Sequence, residues 1–167
     1  MNDVARYDPA LSAQALAKID REVAKYPAGQ QQSAVMAALA IAQDEKGWLS
    51  PEMLDYVADY LKMPPIAVYE VASFYTMYDL APVGRHKLCI CTNLPCALSG
   101  ATDAANHLKR KLGIDWNQTT TDGRFTLKQG ECFGACGDAP VLLHNNKEML
   151  IGMTPDELDR WLAEQAK

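Results

Sequence analysis

The placement of five cysteines constrains this chain more than any other feature of its 167 residues. Cys89, Cys91, Cys96, Cys132 and Cys136 all fall within positions 89–136, and the first 88 residues contain none. Four of them form two tight pairs, Cys91-Thr-Asn-Leu-Pro-Cys96 and Cys132-Phe-Gly-Ala-Cys136. One isolated cysteine is commonly a small buried hydrophobe, but that is a poor account of two pairs. The odd count, in a chain whose first residues show neither a basic nor an apolar leader segment, argues against a disulfide framework. The expectation is a soluble, intracellular protein with reduced thiols.

Four thiolates brought together from two loops can hold a zinc ion or an iron–sulfur cluster. Structural zinc sites most often use two-residue spacers, whereas the spacers here are four and three residues. The longer reach suits two loops that each serve one iron of a binuclear cluster. On spacing alone a structural four-cysteine zinc module remains open. Gly100, Gly130, Gly134 and Gly137 surround the pairs, and close-approaching backbone N–H groups stabilise the negative charge of cluster sulfurs. No Cys-x-His pair of the Rieske kind is present, and the absence of Cys-x-x-Cys weakens a thiol oxidoreductase reading. Cys89 lies two residues before Cys91 on an expected strand, so both point to one face; the plain reading is a packed thiol, the sharper one a spare ligand.

The pattern along the chain changes near residue 82. Before it the spacing is helical. Asp8-Pro9 is expected to open a first helix carrying Leu11, Ala15, Ile19, Val23 and Tyr26. Ser33 precedes an Ala-rich helix to Lys46, stopped at Gly47. Ser50-Pro51-Glu52 restarts a helix with Met53, Leu54, Val57, Ala58 and Leu61 on one face, and a fourth runs from about Ile66 to Phe74. After Pro82-Val83-Gly84 come a strand at His86–Cys91, a helix at Ala101–Leu112 and a strand at Arg124–Lys128. A hairpin across Asn145-Asn146-Lys147 and a last helix opened by Thr154-Pro155-Asp156-Glu157 complete the order. The expected fold class is α+β: a helical bundle over residues 1–82, then an α/β domain with a small mixed sheet over 83–167.

Composition removes several classes. Sixteen Lys+Arg against twenty-one Asp+Glu leave a net charge of −5, which speaks against nucleic-acid binding. The longest apolar run, Ala34–Ala42, is far below the roughly 20 residues a membrane helix needs. His86, His107 and His144 are scattered and pair with no cysteine at ligand spacing. Asp55 and Asp59 read as a solvated helix face, and Lys109-Arg110-Lys111 as cations at a helix C-terminus. Trp48, Phe74, Tyr75 and Tyr78 fit core or interface equally well.

The cysteine pairs, together with Gln43–Ser50, Val71–Tyr78, Pro82-Val-Gly84, Asp122-Gly123 and Glu131–Pro140, resemble the thioredoxin-like [2Fe–2S] ferredoxin family. The form they resemble is the 24 kDa component of respiratory NADH:quinone oxidoreductases. The likeness covers about residues 26–165. It implies a thioredoxin-like second domain with one [2Fe–2S] cluster on Cys91, Cys96, Cys132 and Cys136, and no acid–base catalytic residue in this chain. It also implies a flavin subunit carrying FMN and NADH and a neighbouring iron–sulfur subunit as partners. The chain would then sit peripherally on the cytoplasmic (or matrix) side of the membrane, without inserting into it. A diaphorase subunit of an NAD-linked hydrogenase or formate dehydrogenase fits the same residues. Consistently, no Gly-x-Gly-x-x-Gly fingerprint is present. Cys89 departs from the family, where an aliphatic residue is expected.

Overall fold

The computed structural model describes residues 8–165. The chain divides between Pro82 and Val83 into two compact units. Four helices make the first: α1 (Ala13–Val23), α2 (Val35–Lys46), α3 (Pro51–Leu61) and α4 (Pro65–Phe74). Their inward faces, including Ile19, Leu39, Met53, Val57, Leu61 and Val68, form a single apolar core.

Local chemistry sets these boundaries. The first helix is capped by Ser12, whose hydroxyl accepts the N–H of Ala15, and not by the expected Asp8, whose carboxylate accepts from Ala10 instead. Ser12 wins because Glu45 of α2 grips both its N–H (2.9 Å) and its hydroxyl (2.6 Å). Ser33 lies inside a 3-10 turn, Gln31–Ala34, and provides no cap for α2. Gly47 stops α2 at φ 85°, a left-handed conformation that an L side chain resists. Ser50 caps α3 as expected. Gln43 reaches across to the segment after α4, donating to Met77 O (2.9 Å) and accepting from Asp79 N (2.6 Å). Tyr78 is buried with its hydroxyl on Met36 O, whereas Phe74 is 77% exposed, so the aromatic set splits between core and surface.

The second unit is a five-stranded mixed sheet in the order β2-β3-β1-β4-β5. Its strands are β1 (His86–Cys91), β2 (Gln118–Thr119), β3 (Phe125–Gly130), β4 (Leu142–His144) and β5 (Glu148–Leu150). β1 and β3 run parallel, in register from His86↔Phe125 to Cys91↔Gly130; the other pairs are antiparallel. One turn of helix, α5 (Leu94–Cys96), leads through a kinked π turn into α6 (Thr102–Leu112), the crossover between the parallel strands. The last helix is α7 (Pro155–Gln165). Leu88, Ile90, Leu127 and Leu142 from one sheet face pack with Ala104, Leu108, Leu158 and Leu162 of α6 and α7. β2 is new: two residues tucked against β3 are too few to carry a period-2 pattern. Among the described residues no helix is long and apolar enough to cross a membrane.

Two features of this sheet are testable. A Cβ on Gly84 would lie 2.9 Å from the backbone of both Arg124 and Phe125, rigid atoms that cannot yield. Gly84→Ala is expected to lower the stability of the second unit by about 1–3 kcal/mol, seen as a reduced urea midpoint. At the far end of the sheet His86 stacks on Phe125 and His144, and its Nδ1 lies 3.1 Å from His144 Nε2. His144 Nδ1 in turn faces the Glu148 carboxylate at 3.1 Å. Burial first, then His144, Arg85 and Arg124, holds the His86 pKa below its ordinary 6.5. The folded state therefore binds fewer protons than the unfolded one just below pH 6.5, and the His86 contribution is complete above that pH and lost as pH falls beneath it. The denaturation midpoint should drop between pH 7 and pH 5, and His86→Gln should flatten that slope.

Candidate metal centre

Parallel pairing builds the site. β1 and β3 end side by side at Cys91 and Gly130, so the chain leaving each strand enters the same region beyond their carboxyl ends, where open α/β sheets generally bind ligands. Cys91 ends β1 and Cys96 closes the first exit, Thr92 to Cys96; the second, Glu131 to Cys136, carries Cys132 and Cys136. Thr92 N donates to Gly130 O (2.8 Å), Gln129 Nε2 to Thr92 Oγ1 (2.9 Å) and the Cys91 thiol to Glu131 O (3.0 Å). These bonds tie the two loops at their roots.

Cys91 and Cys96 are buried, Cys132 and Cys136 exposed. Both Cys91 and Cys136 lie within hydrogen-bonding reach of the Cys96 sulfur, so three of the four expected residues are brought together. Cys132 lies on the same loop as Cys136, and its sulfur accepts the N–H of Gly134 at 3.4 Å. Gly134 has φ 74°, the left-handed turn that lets this N–H fold back on the sulfur. Burial, reinforced by the thiol hydrogen bonds and by repulsion between the sulfurs, pushes the Cys96 thiol up to about 11. Among the described residues no three His, Cys, Asp or Glu side chains gather in the arrangement of a single-ion site.

The donor set fits the cluster implied by the resemblance. It is all sulfur, it comes from two loops, and it has a backbone donor aimed at one sulfur. The buried Cys96 thiol, held protonated beside other sulfurs, is one that cationic iron would relieve, because a coordinating thiol is deprotonated outright. Cys89 points to the same face as Cys91 but toward Gly130, beside the ring of Phe133. Phe133 packs on the buried cluster of Cys91, Cys96 and Ala101. Its role escaped the sequence reading; the usable signal was a large aromatic between a cysteine and a glycine, in a loop otherwise small or polar. His107 is engaged with Asp159 (2.8 Å), and His86 with His144, so no histidine enters the site.

The chain matches the model of the thioredoxin-like [2Fe–2S] ferredoxin family over residues 19–166. It is 41% identical over 138 residues to the E subunit of the NADH-quinone oxidoreductase of Rickettsia bellii, covering 82% of each chain. The corresponding E subunit of Rickettsia conorii is 43% identical over 139 residues, with 83% of each covered. The mitochondrial NADH dehydrogenase [ubiquinone] flavoprotein 2 of Dictyostelium discoideum is 40% identical over 132 residues, which are 78% of this chain and 53% of that one. Among solved structures, an NAD+-reducing [NiFe]-hydrogenase in the air-oxidised state superposes with a TM-score of 0.69 at 23% identity. That match spans 79% of this chain and only 22% of the longer hydrogenase chain, and it shows the fold, helices followed by a thioredoxin-like α/β unit. With a family match across nearly its whole length and relatives above 40% identity, the chain belongs to the thioredoxin-like [2Fe–2S] ferredoxins.

Proposed function

We propose that this chain is the electron-transfer subunit of the NADH-oxidising module of a proton-translocating NADH:quinone oxidoreductase. Cys91, Cys96, Cys132 and Cys136 hold one [2Fe–2S] cluster, which supplies one-electron redox chemistry when bound. The observation carrying this reading is the meeting of Cys91, Cys96 and Cys136 at the ends of two parallel strands, in a chain over 40% identical to subunits of that enzyme.

The protein's own part is positional. The buried pair anchors the donor set to the sheet, and the exposed pair leaves its other side at the surface, where a partner's cofactor can approach. The Gly134 N–H aimed at the Cys132 sulfur would offset part of the negative charge of a bound cluster. FMN and NADH belong to a partner flavin subunit, with which this chain exchanges single electrons; a neighbouring iron–sulfur subunit completes the surroundings. The chain is peripheral, held on the cytoplasmic or matrix side through that complex. A second reading, the diaphorase subunit of an NAD-linked hydrogenase, is favoured by the superposition on the NAD+-reducing enzyme. The higher identity to the Rickettsia quinone-reductase subunits weighs against it.

Anaerobically purified protein should be reddish-brown, carry two irons and two acid-labile sulfides per chain, and give a rhombic EPR signal on reduction. A colourless protein with one zinc per chain would sink the proposal. Cys91→Ser, Cys96→Ser, Cys132→Ser and Cys136→Ser should each lose most of the iron, the two buried positions most severely, because the lost ligand leaves the others desolvated. Cys89→Ser should keep full iron content and an unaltered spectrum; iron loss in that variant would overturn the ligand assignment.

A further inference from the structure

The roots of the two cysteine loops are hydrogen-bonded, but hydrogen bonds at the roots do not fix where the middle of the second loop lies. Between Glu131 and Asp138 the side chains of Glu131, Cys132, Cys136 and Asp138 are exposed. Phe133, half-buried, is the one large apolar group of this segment, and its ring packs on Cys91, Cys96 and Ala101. Gly130 explains how it can. A Cβ at that position would overlap the Phe133 ring tip, and would sit 3.1 Å from Cε2 of that ring and 3.1 Å from Cys89 Sγ. The Gly130 backbone is not in the left-handed region, so glycine serves here for space and not for torsional freedom. Gly130 is the register partner of Cys91, which puts the vacancy directly beside the first ligand.

We propose that Phe133, seated in the socket that Gly130 leaves open against Cys89, is the positioning residue that holds Cys132 and Cys136 in place opposite Cys91 and Cys96. The inference rests on the reading that these four cysteines share one cluster, and it adds the device that sets the separation of the two pairs. It also gives Cys89 a place: the thiol is the floor of the socket, small enough to admit the ring. Phe133 lies between the two exposed cysteines in sequence, so a ring that leaves its seat frees both at once, while the β1–β3 ladder stays intact.

The test uses the full chain, as purified holoprotein and as metal-free protein. Phe133→Ala should leave the far-UV dichroism unaltered while shifting the EPR g-values and the midpoint potential and reducing bound iron. Phe133→Leu, which refills most of the seat, should restore them. Gly130→Ala should reproduce the Phe133→Ala spectrum, because the new methyl expels the ring. The double variant Gly130→Ala/Phe133→Leu should be milder than Gly130→Ala alone, a non-additivity expected only of groups in contact. In metal-free protein, amide exchange over residues 131–137 should rise roughly tenfold in Phe133→Ala relative to wild type. Wild-type spectra and potential in Phe133→Ala, or strictly additive effects in the double variant, overturn the socket. A wild-type chain that takes up no iron refutes the functional reading instead, and the exchange measurement alone then decides the socket: unaltered exchange refutes it, accelerated exchange upholds it.

Discussion

The parallel ladder between β1 and β3 is the constraint on which the site depends. Parallel strands cannot be joined by a tight turn, so the chain must leave β1, cross over through α6 and return. Both strands therefore finish at the same edge, with Cys91 opposite Gly130. That geometry alone brings loops 40 residues apart into contact, and the hydrogen bonds from Thr92 and Cys91 to Gly130 and Glu131 lock them there. A one-residue slip in this register would turn Cys91 toward the face now filled by Leu88 and Ile90, and the donor set would disperse.

Cys96 sits where its ionised form is disfavoured. Cys96 is buried, hydrogen-bonded to two other thiols and held protonated to about pH 11. Desolvation dominates that shift, and a thiolate there would face further sulfurs rather than a compensating charge. Under the proposed function, a metal taken up there would displace the Cys96 proton, so binding would be coupled to proton release. The first unit works differently. The sequence signatures Gln43–Ser50 and Val71–Tyr78 meet through Gln43, which donates to Met77 O; Gln43 and Leu49 also bond the adjoining Asp79, and Tyr78 reaches Met36 O, so that the segment after α4 is fastened. Those residues hold a fold, whereas the four paired cysteines are the proposed cluster ligands.

Much of this was legible in the sequence because the signals were local. Ser50-Pro51 specified the start of α3, Gly47 the end of α2, and Asn145-Asn146 the hairpin, each through its own torsional or hydrogen-bonding preference. The cysteine pairs mark a candidate site by their spacing. Misses occurred where a distant residue decided the outcome. Ser12 displaced Asp8 as a cap because Glu45, 33 residues away, grips it. The His86–His144 contact, 58 residues apart in sequence, depends on the β1–β4 pairing. Gly130 and Phe133 belong with these: a glycine at a strand end reads as a turn residue until the ring that occupies its missing side chain is in view.

The asymmetry of the site follows from the same architecture. The first cysteine pair sits on a strand end and on the single turn α5, both anchored to the sheet, and is buried; the second sits on a loop past the last ladder bond of β3 and is exposed. A cluster spanning such a pair of supports would have one side in an apolar, slowly rearranging environment and the other open to solvent and partner. Electron exchange benefits from both, since rigid, dry surroundings reduce the rearrangement that accompanies a change of charge while exposure shortens the path to the acceptor. Leu94 and Leu98, 68% and 80% exposed, flank Cys96 in sequence and add apolar surface beside the first pair. The burial gradient across the four sulfurs would thus give the proposed centre a direction, an inner side for stability and an outer side for exchange.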